Sequence, residues 1–180
     1  MVSRFYIGLP LVFALCLVPT ELHPQEAKSS ESPQPQLKKE IESFAPLPGK
    51  WSCAGVFPSN GKKIESQIAF APDLDGAWLV KRHDDLPPNV LHDAEYWGYD
   101  SAAKQFVAFI FDNFGGVRRF TSSGWVDDKL TWLGEPSKSE PPRLERFVYK
   151  RDSSTQIEVN WEVKQGAKDW AIGDTLTCKK

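Results

Sequence analysis

Two cysteines bracket the part of the chain that carries strand signals. Cys53 follows Gly49-Lys50-Trp51 at the start of the first strand-like run, and Cys178 closes the last such run. A disulfide between them would join the first strand to the last, as expected of a sheet that closes on itself. Bonds of this kind persist in oxidising compartments, so the pair also predicts an exported protein.

The N-terminal 36 residues carry signals of export rather than of a fold. Residues 1–20 are typical of a secretory signal peptide, with Arg4 before an apolar stretch that is too short for a comfortable membrane-spanning helix. An uncleaved membrane anchor is the alternative, because no clear cleavage site of small residues follows. Residues 21–36 are rich in proline and polar side chains, which predicts a disordered linker. We therefore expect a secreted or periplasmic protein without stable membrane insertion after signal cleavage.

A short amphipathic helix is predicted over residues 37–45. Leu37, Ile41 and Phe44 recur at helical spacing, and Pro46 ends the helix. Such a helix is expected to cover one end of the domain over 46–180, with packing on its outside as the alternative. On this reasoning, residues 1 to about 45 are predicted to be dispensable for the domain's fold.

The domain at 46–180 has the composition of an ordinary globular unit. It is long enough to bury a core of its own. The chain's 22 basic and 24 acidic residues are well mixed and give a net charge of -2, which argues against a nucleic-acid surface.

Turn residues divide the chain from Gly49 onward into ten strand-like runs. Short strands at regular spacing indicate a sandwich or a barrel, and no run has the helical periodicity of a βαβ unit. An immunoglobulin-like sandwich would place its cysteines about half a domain apart, whereas these bracket nearly the whole domain. The sequence therefore predicts an all-β fold, a single closed antiparallel barrel of about ten strands, with the runs at 50–57, 62–71, 77–85, 92–99, 104–112, 117–125, 129–134, 143–151, 155–164 and 168–178.

The register of the last hairpin follows from its turn. A turn centred on residues 166–167 pairs Ile157 with Leu176, both apolar, on a face that points inward. The same alternation places Cys178 on the inward face, where it can lie opposite Cys53.

Tryptophan motifs recur along the chain, from Gly49-Lys50-Trp51 through Trp97-Gly98-Tyr99-Asp100 to Leu130-Thr131-Trp132. They resemble those of the calycin superfamily, the lipocalins and fatty-acid-binding proteins. That superfamily opens its first strand with Gly-x-Trp, and the Trp packs near a basic residue of the last strand, here Lys179 or Lys180. In order, the motifs resemble a bacterial family of calycin-like barrels that is known only as a domain of unknown function: Gly49-Lys50-Trp51, Leu74-Asp75-Gly76-Ala77-Trp78-Leu79, Trp97-Gly98-Tyr99-Asp100, Gly124-Trp125 and Leu130-Thr131-Trp132.

The resemblance covers about residues 45–178 and implies a ten-stranded barrel with a central cavity and no established activity. Nitrobindins are a more distant relative that holds haem through a His in the C-terminal part of the domain. This chain has no His after His92, so haem is not expected and no cofactor is predicted.

A few inward side chains are candidates for contact with a ligand. Arg118 and Arg119 are adjacent and must point to opposite faces. We expect Arg119 inward, where its guanidinium would suit a ligand carboxylate; water or a barrel acid are the alternative partners. Asp174 is the exception on an apolar face and should either pair with an inward Arg or orient a ligand. The aromatic wall of the cavity is predicted to include Trp132, Trp78, Trp161 and Tyr96.

His83 and His92 flank the loop at 86–91 and would be direct cross-strand neighbours in a symmetric hairpin. Two imidazoles with a nearby carboxylate such as Asp93 could hold a divalent metal. Histidines on a barrel rim are more often simply solvated, so no metal site is predicted.

Three classes of function remain open for such a barrel. The leading expectation is a binding module for an amphipathic or anionic small molecule. An enzyme that uses the cavity for acid–base chemistry is second, although the chain lacks nucleophile-elbow, zinc-protease, phosphate-loop and dinucleotide motifs. A structural or interaction domain with a filled interior is third. Oligomeric state does not follow from the sequence.

Overall fold

The computed structural model of the protein describes residues 36–180. The predicted signal peptide at 1–20 and the linker at 21–36, except Gln36, lie outside the described residues. Within the described part, a 3-10 helix at Lys39–Phe44 precedes eleven strands, and no helix is long and apolar enough to cross a membrane. The strands are β1 Gly49–Phe57, β2 Lys62–Asp73, β3 Trp78–Asp85, β4 His92–Asp100, β5 Gln105–Asp112, β6 Val117–Ser122, β7 Trp125–Val126, β8 Lys129–Gly134, β9 Arg143–Arg151, β10 Gln156–Gln165 and β11 Ala171–Lys179.

Ten of these strands form a closed antiparallel barrel. Each pairs with its neighbour in the order β6-β5-β4-β3-β2-β1-β11-β10-β9-β8, and β6 pairs with β8 to complete the ring. The two-residue β7 extends β8 as a hairpin. The all-β, closed, ten-stranded fold is therefore confirmed. The predicted run 117–125 divides into β6 and β7 at Gly124, whose φ of +92° suits glycine.

The disulfide closes the barrel between its first and last strands. Cys53 lies opposite Cys178 in the β1–β11 ladder, with Cα atoms 4.0 Å apart, and the two sulfurs are bonded. One step further along, Lys180 Nζ lies 4.8 Å from the centre of the Trp51 ring. The predicted disulfide and the pairing of its strands are confirmed.

The predicted register of the last hairpin is wrong by one residue next to the turn and by two residues beyond a bulge. Ile157 lies opposite Cys178 rather than Leu176, and the ladder shifts at a bulge between Trp161 and Glu162. An even shift preserves the faces, so Ile157, Leu176 and Cys178 still point inward as predicted.

One half of the barrel interior is a packed aromatic and aliphatic core that includes the helix. Phe44 is fully buried, and its ring centre lies 5.6 Å from that of Trp97 and 5.1 Å from that of Phe106. Ile41 is also buried, and Trp51 Nε1 donates to the Leu47 carbonyl at 2.8 Å. The helix closes this end of the barrel with Ile41 and Phe44 in the core. That the chain before about residue 45 is dispensable stays a prediction, and this packing argues against it.

Candidate functional site

The other half of the barrel interior holds a cavity of about 300 Å³. Its mouth lies where Phe57, Leu91 and Phe114 end strands or occupy the connections between them. The wall is apolar on β1, β2 and β10 and, apart from Asp174, on β11, and it is charged on β3 to β6. The lining residues are Phe57, Ile64, Ile68, Lys81, His83, Asp85, Leu91, Asp93, Asp112, Phe114, Arg118, Phe147, Val159, Trp161, Asp174 and Leu176.

Strand β3 supplies three of the charged side chains because of simple alternation. Leu79 is buried in the core, so the residues at every second position after it, Lys81, His83 and Asp85, also face inward. Lys81 Nζ donates to Glu95 Oε1 on β4 at 2.5 Å. Burial alone would lower the pKa of Lys81, but the Glu95 carboxylate more than offsets it and the pKa lies above its usual value.

His83 joins two carboxylates inside the cavity. Its Nε2 lies 3.1 Å from Asp85 Oδ1, and its Nδ1 lies 3.8 Å from Asp93 Oδ2. Ser66 Oγ also donates to Asp85 at 2.6 Å. Burial opposes ionisation of Asp85, but the hydrogen bonds from His83 and Ser66 outweigh it and lower the pKa of the carboxyl.

Burial has the largest effect on the pKa of two further cavity carboxyls. Burial raises the pKa of Asp93 to about 6, even with Lys81 nearby, and raises the pKa of Asp174 to about 6, with His83 acting in the opposite direction. The Asp93 side chain is only 6% exposed. Within residues 36–180, its Oδ1 is buried and has no hydrogen-bond partner.

Arg118, not Arg119, faces the interior. Arg118 lies on the same face of β6 as the buried Phe120 and lines the cavity, with its guanidinium 3.4 Å from both Asp112 and Glu145. Arg119 points outward and forms an ion pair with Glu135 at 3.0 Å. The prediction that Arg119 faces inward is therefore wrong, and its neighbour Arg118 takes that place. Two adjacent arginines carry no sequence signal that shows which one faces inward.

The predicted aromatic wall is divided between three environments. Trp161 lines the cavity, and its Nε1 donates to Glu145 at 3.0 Å. Trp132 is buried in the packed half, 5.0 Å from Trp97 between ring centres. The expectation that Trp78 and Tyr96 line the cavity is wrong, because both lie on the outer face of the barrel.

The outer placement of Trp78 and Tyr96 has clear packing partners. Trp78 covers Gly98, where an added Cβ would lie 2.6 Å from the ring, and its ring centre lies 6.3 Å from that of Phe109. Tyr96 packs edge-on against the half-exposed Phe111. These rings cover the outside of the sheet rather than a ligand.

The two histidines lie on opposite faces of the sheet. The β3–β4 hairpin pairs His83 with Asp93 and Asp84 with His92, a slip of one residue from the symmetric hairpin. His92 is exposed and bonds Asp84 at 2.8 Å. His83 and His92 therefore cannot share a metal, and the described residues contain no group of three potential metal ligands.

The buried ion pair beside the cavity and the place of Asp93 on the cavity wall were not predicted from the sequence. Lys81, Glu95 and Asp93 are charged residues in strands, where hydropathy alone predicts outward positions. The signal that could have found them is alternation: counted from the buried Leu79 and Trp97, all three share the inward face. Facing lysine and glutamate on one inner face would then have predicted a buried ion pair.

Comparison with known proteins adds little to this geometry. No protein-family model matches the chain, and no curated protein matches it. Among solved structures, a redesigned beta barrel matches with 16% sequence identity over 77% of this chain and 94% of that chain, at a TM-score of 0.37. At that TM-score the likeness carries no argument, and the barrel assignment rests on the strand pairing itself.

Proposed function

We propose that the protein is an exported, calycin-type barrel that binds an amphipathic small molecule in its inner cavity. The observation that carries this proposal is the two-sided lining. Ile64, Ile68, Val159 and Leu176 form an apolar wall, and charged side chains of β3 to β6 face it across about 300 Å³. A ligand with a hydrocarbon part and a polar head meets both walls, as in other concave sites with few polar anchors.

The cavity volume favours binding over a purely structural role. Protein interiors are close-packed, and voids larger than a few water molecules are rare. In the packed half of this barrel, aromatic side chains fill the space, so the open half is not a consequence of barrel size alone. The disulfide supports the export part of the proposal, because such bonds persist outside the cytosol.

The polar anchor differs from the one expected from sequence. Arg119 lies outside, and Arg118 is already engaged by Asp112 and Glu145. We therefore retain the amphipathic ligand and assign its polar head to the charged wall as a whole, without an arginine–carboxylate pair as the main contact.

Native mass spectrometry of the protein purified from its own host tests the proposal. We expect an adduct of one small molecule per chain that is released on unfolding. Leu176→Trp fills the cavity from β11 and should abolish the adduct. Thr177→Trp places the same side chain on the outer face of the same strand and is the matched control. An adduct that survives in a folded Leu176→Trp variant would contradict a cavity site.

A further inference from the structure

The lining of the cavity has an excess of acidic side chains. It contains four aspartates against one lysine, one arginine and one histidine. Both permanent cations are already neutralised: Lys81 by Glu95 at 2.5 Å, and Arg118 by two carboxylates at 3.4 Å. A ligand entering this cavity therefore meets unbalanced carboxylates rather than free cations.

The unbalanced charge lies at Asp93 and Asp174. Asp85 is satisfied by Ser66 and His83, and Asp112 accepts hydrogen bonds from its own turn as well as contacting Arg118. Asp93 Oδ1 is different: it is buried, and no donor of residues 36–180 reaches it. A buried carboxylate oxygen without a partner costs free energy, so a donor supplied by a ligand would be strongly favoured there.

We propose that the cavity selects amphipathic cations, with the ligand's ammonium group held by the carboxylates of Asp93 and Asp174, both of which line the cavity. The hydrocarbon part lies against the apolar wall of Ile64, Ile68, Val159 and Leu176. The inference rests on the proposed function and deepens it, because it names the ligand class. Burial disfavours the ionised forms of Asp93 and Asp174, because it removes the water that would stabilise their charge. A bound cation would stabilise the two carboxylates in place of that water.

Three eight-carbon probes with different head groups separate the possibilities: octylamine, 1-octanol and octanoate. At pH 7.4 the amine is a cation and the acid an anion. Isothermal titration calorimetry of the full chain should give the tightest binding for octylamine, at least 10-fold tighter than 1-octanol, with octanoate weakest. The alkyl chain of octanoate is one carbon shorter than those of the other two probes, so the comparison of octylamine with 1-octanol is the one in which only the head group differs.

Asp93→Asn is the matching variant, because it keeps the shape of the side chain and removes its charge. We expect this variant to bind octylamine about 10-fold more weakly than the parent protein, with its affinity for 1-octanol unchanged. Asp174→Asn should act in the same direction, with a smaller effect. Asp84→Asn is the control, since Asp84 lies one residue from Asp85 on the outer face of β3 and should change none of the three affinities.

The outcomes distinguish the ligand class from binding itself. Equal affinity for all three probes, or tightest binding of octanoate, would overturn selection for cations and leave the binding function standing. Absence of binding by every probe would overturn both. If Asp93→Asn fails to fold, the comparison of octylamine with octanoate on the unaltered protein, together with Asp174→Asn, still decides the question.

Discussion

Lys81 Nζ lies 2.5 Å from Glu95 Oε1, and both side chains are only 3% exposed. Trp97 Nε1 donates to the other carboxylate oxygen at 2.6 Å. The pair sits on β3 and β4, beside the aromatic core on one side and the cavity on the other. It is therefore the boundary between the filled and the open halves of the barrel.

Breaking that pair should destabilise the protein far more than replacing it. Lys81→Met leaves Glu95 buried and uncompensated, which costs about 3–5 kcal/mol of unfolding free energy. The double variant Lys81→Met, Glu95→Leu removes both charges and should recover most of the loss. Urea unfolding measures both. Lys150→Met, which removes a partner of the exposed Asp152, is the control and should change little. A Lys81→Met variant as stable as the parent would contradict the buried pair.

The 3-10 helix is expected to contribute to the stability of the barrel. Phe44→Ala removes a fully buried ring that contacts three other aromatic side chains, so we expect a loss of about 3–5 kcal/mol. Phe114→Ala, at a ring that is 70% exposed, is the control for loss of a phenyl group. Thermal or urea unfolding checks both. Equal effects of the two substitutions would show that the helix does not close the barrel.

The disulfide should stabilise the fold without determining it. Its cysteines are 125 residues apart, so loss of the cross-link releases a long loop in the unfolded chain, worth about 4–5 kcal/mol by chain entropy. Cys53→Ala with Cys178→Ala should therefore keep the β-type circular dichroism spectrum and unfold at lower urea concentration. A double variant without sheet structure would mean that closure of the barrel depends on the bond.

The buried carboxyls predict a pH dependence of stability with a defined sign. The pKa of Asp174 rises from 3.8 to about 6 on folding, so the native state binds the extra proton. The resulting stabilisation is present below about pH 4 and is lost as pH rises through about 6. The unfolding free energy of Asp174→Asn, relative to that of the parent, should therefore rise by up to about 3 kcal/mol between pH 4 and pH 7. Urea unfolding across that range measures the difference, and a constant or opposite difference would contradict the burial of this carboxyl.

Much of the barrel could be predicted because each of its determinants is local. The turn residues mark the ends of the strands, and two cysteines at the extremes specify which strands meet. The face of a strand was predictable wherever apolar residues alternate, as in β10 and β11. The exact pairing there was not, because a bulge beside Trp161 shifts the ladder and no local sequence signal marks it. The Trp161 ring lies over Gly173, where an added Cβ would lie 2.4 Å from it.

The site was harder to predict because its residues run against hydropathy. Trp161 and Asp174 were correctly placed on the cavity wall, but the choice of Arg119 over Arg118 was wrong. A one-residue slip reverses the face of every side chain in a strand. A one-residue difference between the expected and the observed register of the β3–β4 hairpin likewise places His83 and His92 on opposite faces of the sheet. Buried charges such as Lys81 become predictable only once the neighbouring strand that neutralises them is known.

Methyl NMR with isoleucine labels tests the central claim, that a ligand occupies the inner cavity. Ile64 and Ile68 line the cavity, Ile41 is a buried residue of the 3-10 helix at the other end, and Ile172 is 49% exposed on β11. On titration with 1-octanol, the methyl signals of Ile64 and Ile68 should shift in a saturable manner, while those of Ile41 and Ile172 stay in place. Shifts confined to Ile172, or no shift at Ile64 and Ile68, would contradict a binding chamber inside the barrel.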